Sequence, residues 1–266
     1  MAGANVKGRG IVVPDAPALA MANRFGRYKP EEEKPVRKVE VVKDETLKKM
    51  KKAWKSFRYT RLRSGDSYLN ALASIERLEY SASDIKNFSI AIAEFQDEKD
   101  FSEKAGFFLS ALINNGKDQD YIIHTKHLAV PLDSIGCENT KNITVEGNAG
   151  DNAGDGMRGG IITVNGNAHY GAGNSMIGGT ITVNGDAGEH VGIWMIGGAI
   201  VANKNAGDNV GYEMRGGVIT VMGDASCDVG YRMEGGRIYV WGEIGGISHE
   251  RKHGKIYHKG KLIVDK

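Results

Sequence analysis

From residue 143 onward, apolar residues recur in pairs two positions apart: Ile143/Val145, Ile162/Val164, Ile181/Val183, Ile200/Ala202, Ile219/Val221 and Ile238/Val240. Alternation at period two marks a short strand with one buried face. Successive pairs are 19 residues apart, and other positions keep the same step. Methionine recurs as Met157, Met176, Met195, Met214 and Met233. A double glycine follows each after one residue, and a further glycine precedes each by three. Before that glycine stands a small apolar residue: Ala153, Ala172, Val191, Val210 and Val229.

So short a unit cannot bury an apolar face alone, so neighbouring units must stack. The expected fold is mainly β, a right-handed parallel β-helix of about six coils. Each methionine points inward over the next, and the glycines turn corners where the backbone needs positive φ or close approach. The five methionines are read as structural. The β-helix spans 119–246, with 121–140 as a degenerate first coil whose Leu132 and Ile135 face inward, and 247–266 form a C-terminal cap hairpin.

Upstream the period changes. Residues 43–118 predict a basic helix followed by a small helical domain that covers an end or side of the stack. Leu69, Leu72, Ile75 and Leu78 are helically spaced. Ser83 reads as an N-cap ahead of Ile85, Phe88, Ile92 and Phe95, and the Asn-Gly after Leu112 reads as a C-cap. Residues 1–42 carry little patterned hydrophobicity and predict an extended or disordered arm.

Composition adds three points. Glycine, at 37 of 266 residues, is about twice ordinary usage, while five prolines exclude a collagen-like or Pro-rich explanation. Two cysteines, Cys137 and Cys227, make neither a disulfide framework nor a metal motif. No apolar leader follows Met1 and no run reaches membrane length, which predicts a soluble, cytoplasmic protein. The net charge of +2 also hides an asymmetry, because residues 1–63 hold 17 Lys and Arg against 7 Asp and Glu.

The stretches "ITVEGNAGDNAGDGMRGG", "ITVNGDAGEHVGIWMIGG" and "VITVMGDASCDVGYRMEGG" carry a resemblance. Over roughly residues 140–245 the repeat resembles the glycine-rich GXGXG β-helix domain. That domain forms the C-terminal part of the glutamate synthase large subunit and the body of one subunit of formylmethanofuran dehydrogenase. The resemblance implies a scaffold that holds catalytic neighbours in place and carries no catalytic residues. It further implies a subunit of an oxidoreductase or one-carbon complex rather than an enzyme by itself.

The residues themselves offer little chemistry. "GNAGDNAGDG" lacks the following helix that a phosphate-binding loop requires. The position of Asp151 becomes Tyr170, Glu189, Asp208 and Cys227 in later coils, which breaks a calcium ladder. Asp208, Asp224 and Asp228 read as surface acids, and His249, His253 and His258 as a solvated tail. No catalytic, cofactor or metal site is expected. Trp194, Tyr212 and Tyr231 are expected to form an outer aromatic stripe, suited to a partner or to ordinary packing.

The segment "LKKMKKAWKSFRYTRLR" is the one with partner content: Lys48, Lys49, Lys51, Lys52, Trp54, Lys55, Phe57, Arg58, Arg61 and Arg63, with no acid among them. Other protein subunits are the expected partners. Nucleic acid stays open as the alternative for residues 43–63, through phosphate neutralisation and base stacking, and homo-oligomerisation stays open as well.

Overall fold

A computed structural model describes residues 44–60 and 64–266. The arm expected over 1–42, together with Arg61 and Arg63, lies outside the described residues. Among the described residues four helices precede the strands: α1 (Glu45–Ser56), α2 (Ser64–Ile75), α3 (Ala82–Ala91), which continues into a 3-10 turn at Ile92–Phe95, and α4 (Phe101–Asn115). Nine strands follow: β1 (Asp120–His124), β2 (Asn142–Glu146), β3 (Ile161–Val164), β4 (Thr180–Val183), β5 (Ala199–Ala202), β6 (Val218–Val221), β7 (Arg237–Val240), β8 (Lys255–His258) and β9 (Lys261–Asp265).

The strands form one sheet in chain order. β1 to β8 pair in parallel, so seven turns of chain lie between them, against the six or so coils expected. Ile162 sits beside Ile181 and Val164 beside Val183, and that register holds through the stack. This is a parallel β-solenoid. Its second corner is a column of small residues, Ala149, Ala168, Ala187, Ala206 and Ala225, each bridged to the next.

The interior is a set of ladders. The Ile, Val and Ala columns and all five repeat methionines are buried. Full burial of such a side chain stabilises by roughly 1.5–3 kcal/mol. The methionine of one coil also explains a glycine of the next. A Cβ on Gly217 would lie 2.7 Å from the Met195 methyl and 2.8 Å from the Gly198 carbonyl oxygen, and the backbone there has φ +89°. Its neighbour Gly216 is required by approach alone, because a Cβ would stand 2.3 Å from the Ile196 carbonyl oxygen. Left-handed backbone also occurs where no glycine marks it, at His190, Trp194, Asn209 and Glu213 among others.

Polar side chains bind coil to coil outside. Asn203 donates to Asn184 (2.7 Å), Asn184 to Asn165 (2.8 Å) and Asn165 to Glu146 (2.9 Å). A second column works through the backbone: the N–H groups of Asn167, Asp186 and Asp224 donate to the side-chain oxygens of Asn148, Asn167 and Asn205. Asp208 and Asp224, read as surface acids, accept the backbone N–H groups of Cys227 and Glu243.

The helices close the first end. Asn139 occupies the methionine position of the first coil and is buried, bonded through both amide atoms to the Lys141 backbone. α4 lies against this coil so closely that a Cβ on Gly106 would overlap the Asp133 carbonyl. Ser102 and Ser110 of α4 accept from Asp133 and Gly136, and Asn114 donates to the Cys137 carbonyl. α3 covers the edge of β1, where His124 N–H donates to the Ser89 hydroxyl (3.0 Å). An open strand edge invites pairing, and α3 packs along this one with that single bond to it.

Local expectations shift at the helix ends. Ser81, not Ser83, caps α3, because its hydroxyl and Asp84 form a reciprocal capping box. α4 runs three residues beyond Leu112, and Gly116 ends it in extended rather than left-handed backbone. Gly116 is needed because a Cβ would stand 2.2 Å from the Tyr121 hydroxyl. α2 ends at Ile75, so Leu78 falls outside it, and Leu69 is exposed.

One carboxylate works against the stack. Asp155 accepts from the Asn174 amide (3.0 Å), and burial, with the nearby Glu138 charge, pushes its pKa up to about 6. The folded protein therefore holds this proton more tightly than the unfolded chain, so ionised Asp155 lowers stability above pH 6 and ceases to do so as the pH falls toward the ordinary 3.8. Asp155→Asn keeps the acceptor and is expected to stabilise at pH 7.5 and to have little effect at pH 4, read by urea unfolding at both. Met195→Ala is expected to cost about 2–5 kcal/mol. Gly217→Ala should also destabilise, but the two together should cost less than their sum, because the added methyl enters the space that Met195 leaves. Denaturant midpoints of both singles and the double variant check this.

Candidate docking surfaces

The basic helix α1 has two unlike faces. Asp44 caps it by accepting the Leu47 N–H (2.8 Å). Met50, Ala53 and Trp54 turn inward. The Trp54 ring stacks on Phe95 at 5.4 Å, meets Phe108 edge-on at 5.5 Å, and receives the Lys104 ammonium 4.2 Å above its face. Its indole N–H donates to Glu98 (3.3 Å). Phe57 stacks on Phe108 at 5.8 Å, and Tyr59 on Phe107 at 6.2 Å. The aromatic residues interleaved with the lysines thus build the helical core. Trp54 and Phe57 are not on the surface, and the sequence could not show this because any amphipathic helix places some aromatics inside.

The outer face keeps the cations. Lys48 pairs with Glu45 (2.7 Å) and Lys51 with Glu94 (2.6 Å). Lys55 lies 5.9 Å above the Phe95 ring. Lys49, Lys52 and Arg58 are exposed and make no ion pair among the described residues. The helix therefore presents a ridge of ammonium groups, with the Arg58 guanidinium just past its C-terminal end, held in place by the Trp54 anchor beneath.

The aromatic stripe on the solenoid flank exists with different members. Tyr170 meets His190 at 4.6 Å, His190 meets Tyr212 at 5.3 Å, and Tyr212 meets Tyr231 at 5.2 Å. Trp194 is not in this column: its indole N–H donates to Glu213 (3.0 Å), one coil on. The repeat places Trp194 in register with Glu213 and Arg232, a shift of one residue that changes the column. Tyr170 and His190 could not be foreseen from the repeat, because they sit at other offsets from their methionines and meet the tyrosines only through the coil path. Each ring covers its neighbour, so the stripe is a packed ladder with its edges exposed.

Beside its last member lies a surface cavity of about 480 Å³ lined by Glu213, Arg232, Glu234, Glu250, Arg251 and Lys252. Arg232 bridges Glu213 (3.7 Å) and Glu250 (3.4 Å), while Glu234 takes Lys252 (2.7 Å) and Arg215 (3.4 Å). Arg251 is the exception: its Nε and Nη1 are buried without a hydrogen-bond partner, and burial lowers its pKa. The lining charges otherwise answer one another.

No metal-ligating group of three or more His, Cys, Asp or Glu occurs among the described residues, and His258 instead contacts the Gly242 carbonyl oxygen (2.8 Å). Cys137 is buried, which pushes its thiol pKa far up, and Cys227 is exposed. Among the described residues no helix is long and apolar enough to cross a membrane.

No family model matches the chain, and no curated protein matches it. Among solved structures, a chain of the formyltransferase/hydrolase complex of Methylorubrum extorquens, determined with methylofuran, is similar at 32% identity with a TM-score of 0.46. The alignment covers 53% of this chain and 57% of that one, so the likeness spans just over half of either.

Proposed function

We propose that the protein is a non-catalytic scaffold or assembly subunit of a larger enzyme complex, docking partners through α1 and the solenoid flank. The observation that carries this is what the repeat uses its side chains for. The recurring Met, Ile, Val and Ala fill the interior, and the recurring Asn and Asp bond the backbone or amide of the next coil. What recurs along the chain builds a stiff body. Lys49, Lys52 and Arg58, which make no ion pair among the described residues, lie outside it, the two lysines on a helix whose position is fixed and Arg58 just past its end.

A solenoid suits this role because its flank is long and regular, so a partner can dock over a wide area without a rearrangement of the body. Free basic groups on a pre-formed helix select an acidic surface and accelerate its encounter more than they add affinity. The resemblance of the repeat to the GXGXG domain makes an oxidoreductase or one-carbon enzyme the class of partner. The burial of Trp54 and Phe57 leaves the ridge suited to charge pairing rather than to stacking on bases.

Affinity purification of the full chain from its native cells, followed by native mass spectrometry, is expected to show a companion in fixed stoichiometry with redox or formyl-transfer activity. Charge reversal at Lys49, Lys52 and Lys55 together should release that companion while circular dichroism stays unchanged. Recovery of the chain without a stoichiometric companion would remove the reading, and retention by the reversed variant would remove α1 from it.

A further inference from the structure

The two ends of the coil stack are finished differently. At the first end α3 and α4 cover the edge of β1 and the face of the coil. At the other end β9 is the last strand of the sheet, and among the described residues no strand pairs with its outer edge. Such an edge presents a row of backbone donors and acceptors ready for another strand.

β9 is also apolar where it is open. Leu262 is 45% exposed and Ile263 43%. The register against β8 shifts between Ile256 and Tyr257, whose partners are Val264 and Leu262, so Ile263 is the extra residue. A bulge of this kind turns a side chain away from the pairing it interrupts. Around the turn before β9, Trp241 is 47% exposed beside Gly260, and Met222, one coil back, is 48% exposed. The apolar surface therefore continues from the strand onto the flank.

We propose that β9 is a homodimerisation strand, which pairs antiparallel with the same strand of a second copy about a twofold axis through Ile263. The sequence Lys261-Leu262-Ile263-Val264-Asp265 is complementary to itself in that arrangement. Lys261 faces Asp265 of the partner subunit, Leu262 faces the partner's Val264, and Ile263 faces its own symmetry mate. A twofold interface requires one patch to match itself in this way. Opposite charges across an antiparallel pair stabilise it, and like charges directly opposite oppose it. The parallel alternative sets Lys261 beside lysine and Asp265 beside aspartate, so charge selects both the direction and the register. Asp265, bridged within its own chain to Lys255 (3.2 Å), is held at the edge.

The β9 edge is separate from the α1 ridge, which lies in the helical layer at the first end of the stack. Sedimentation equilibrium of the purified full chain is expected to show a concentration-dependent monomer–dimer equilibrium. Ile263→Lys should weaken association roughly tenfold or more. Lys261→Glu should weaken it too, and Lys261→Glu with Asp265→Lys should restore it. In a Cys227→Ser background, Ile263→Cys should form an interchain disulfide on mild oxidation, since antiparallel partners bring Cα atoms within about 4.5–5.5 Å. Lys126→Cys, on the first coil, should not. This cross-link reads the pairing directly even if Ile263→Lys disturbs the fold. A protein that stays monomeric at its highest soluble concentration overturns the proposal. So does a dimer that resists Ile263→Lys and yields no Ile263→Cys cross-link.

Discussion

Each coil is held to the next by a contact that only two residue types permit together. The methyl group of a repeat methionine comes within 2.6 to 2.7 Å of where a Cβ on the following coil's second glycine would stand in four of the five cases, and Met233 meets Gly254 in the same way. A long unbranched thioether can reach across the coil and fill that space, and a residue without a Cβ can receive it. The parallel ladder hydrogen bonds set the spacing between coils, and the methionine–glycine contact sets which residues may lie over which. A change on either side leaves a void or a clash in a body whose coils contact only their neighbours.

From that contact follows the need for ends. A stack of coils is open at both, and the chain treats them differently. At the first end the methionine ladder stops at Asn139, which satisfies its amide on the Lys141 backbone, and serines of α3 and α4 bond the loops and edge that the missing coil would have bonded. Trp54 then fixes α1 over this helical layer through aromatic contacts and the Lys104 ammonium. The basic ridge is thus the outermost consequence of closing the stack. At the far end the sheet finishes in an antiparallel strand with exposed apolar side chains, and its chemistry points to assembly rather than closure.

The polar columns show how one position can be structural or interactive according to its neighbours. Glu146, Asn165, Asn184 and Asn203 occupy one column and bond one another, after which Met222 and Trp241 continue it without that capacity. The amide ladder ties the early coils together on their outer face. Where it gives way to Met222 and Trp241 the same surface becomes apolar and exposed, next to the open strand.

The solenoid was legible because its period is short, strict and repeated, and each column has one physical demand: bulk inside, no Cβ at the corner, an alternating strand between. The five methionines, Leu132 and Ile135 could all be placed inward from the sequence alone, since a repeated unit averages away local ambiguity. The helical layer was less legible. Ser81 rather than Ser83 caps α3 because the reciprocal bond with Asp84 decides it, and Gly116 answers to the Tyr121 hydroxyl, a contact between elements that no local pattern records. For Trp54 and Phe57 the chain showed aromatic residues among lysines and nothing more. Only the packing of α1 against Phe95 and Phe108 decided that the rings lie inside and the charges outside, because burial is settled by the surface a neighbour offers and not by the residue alone.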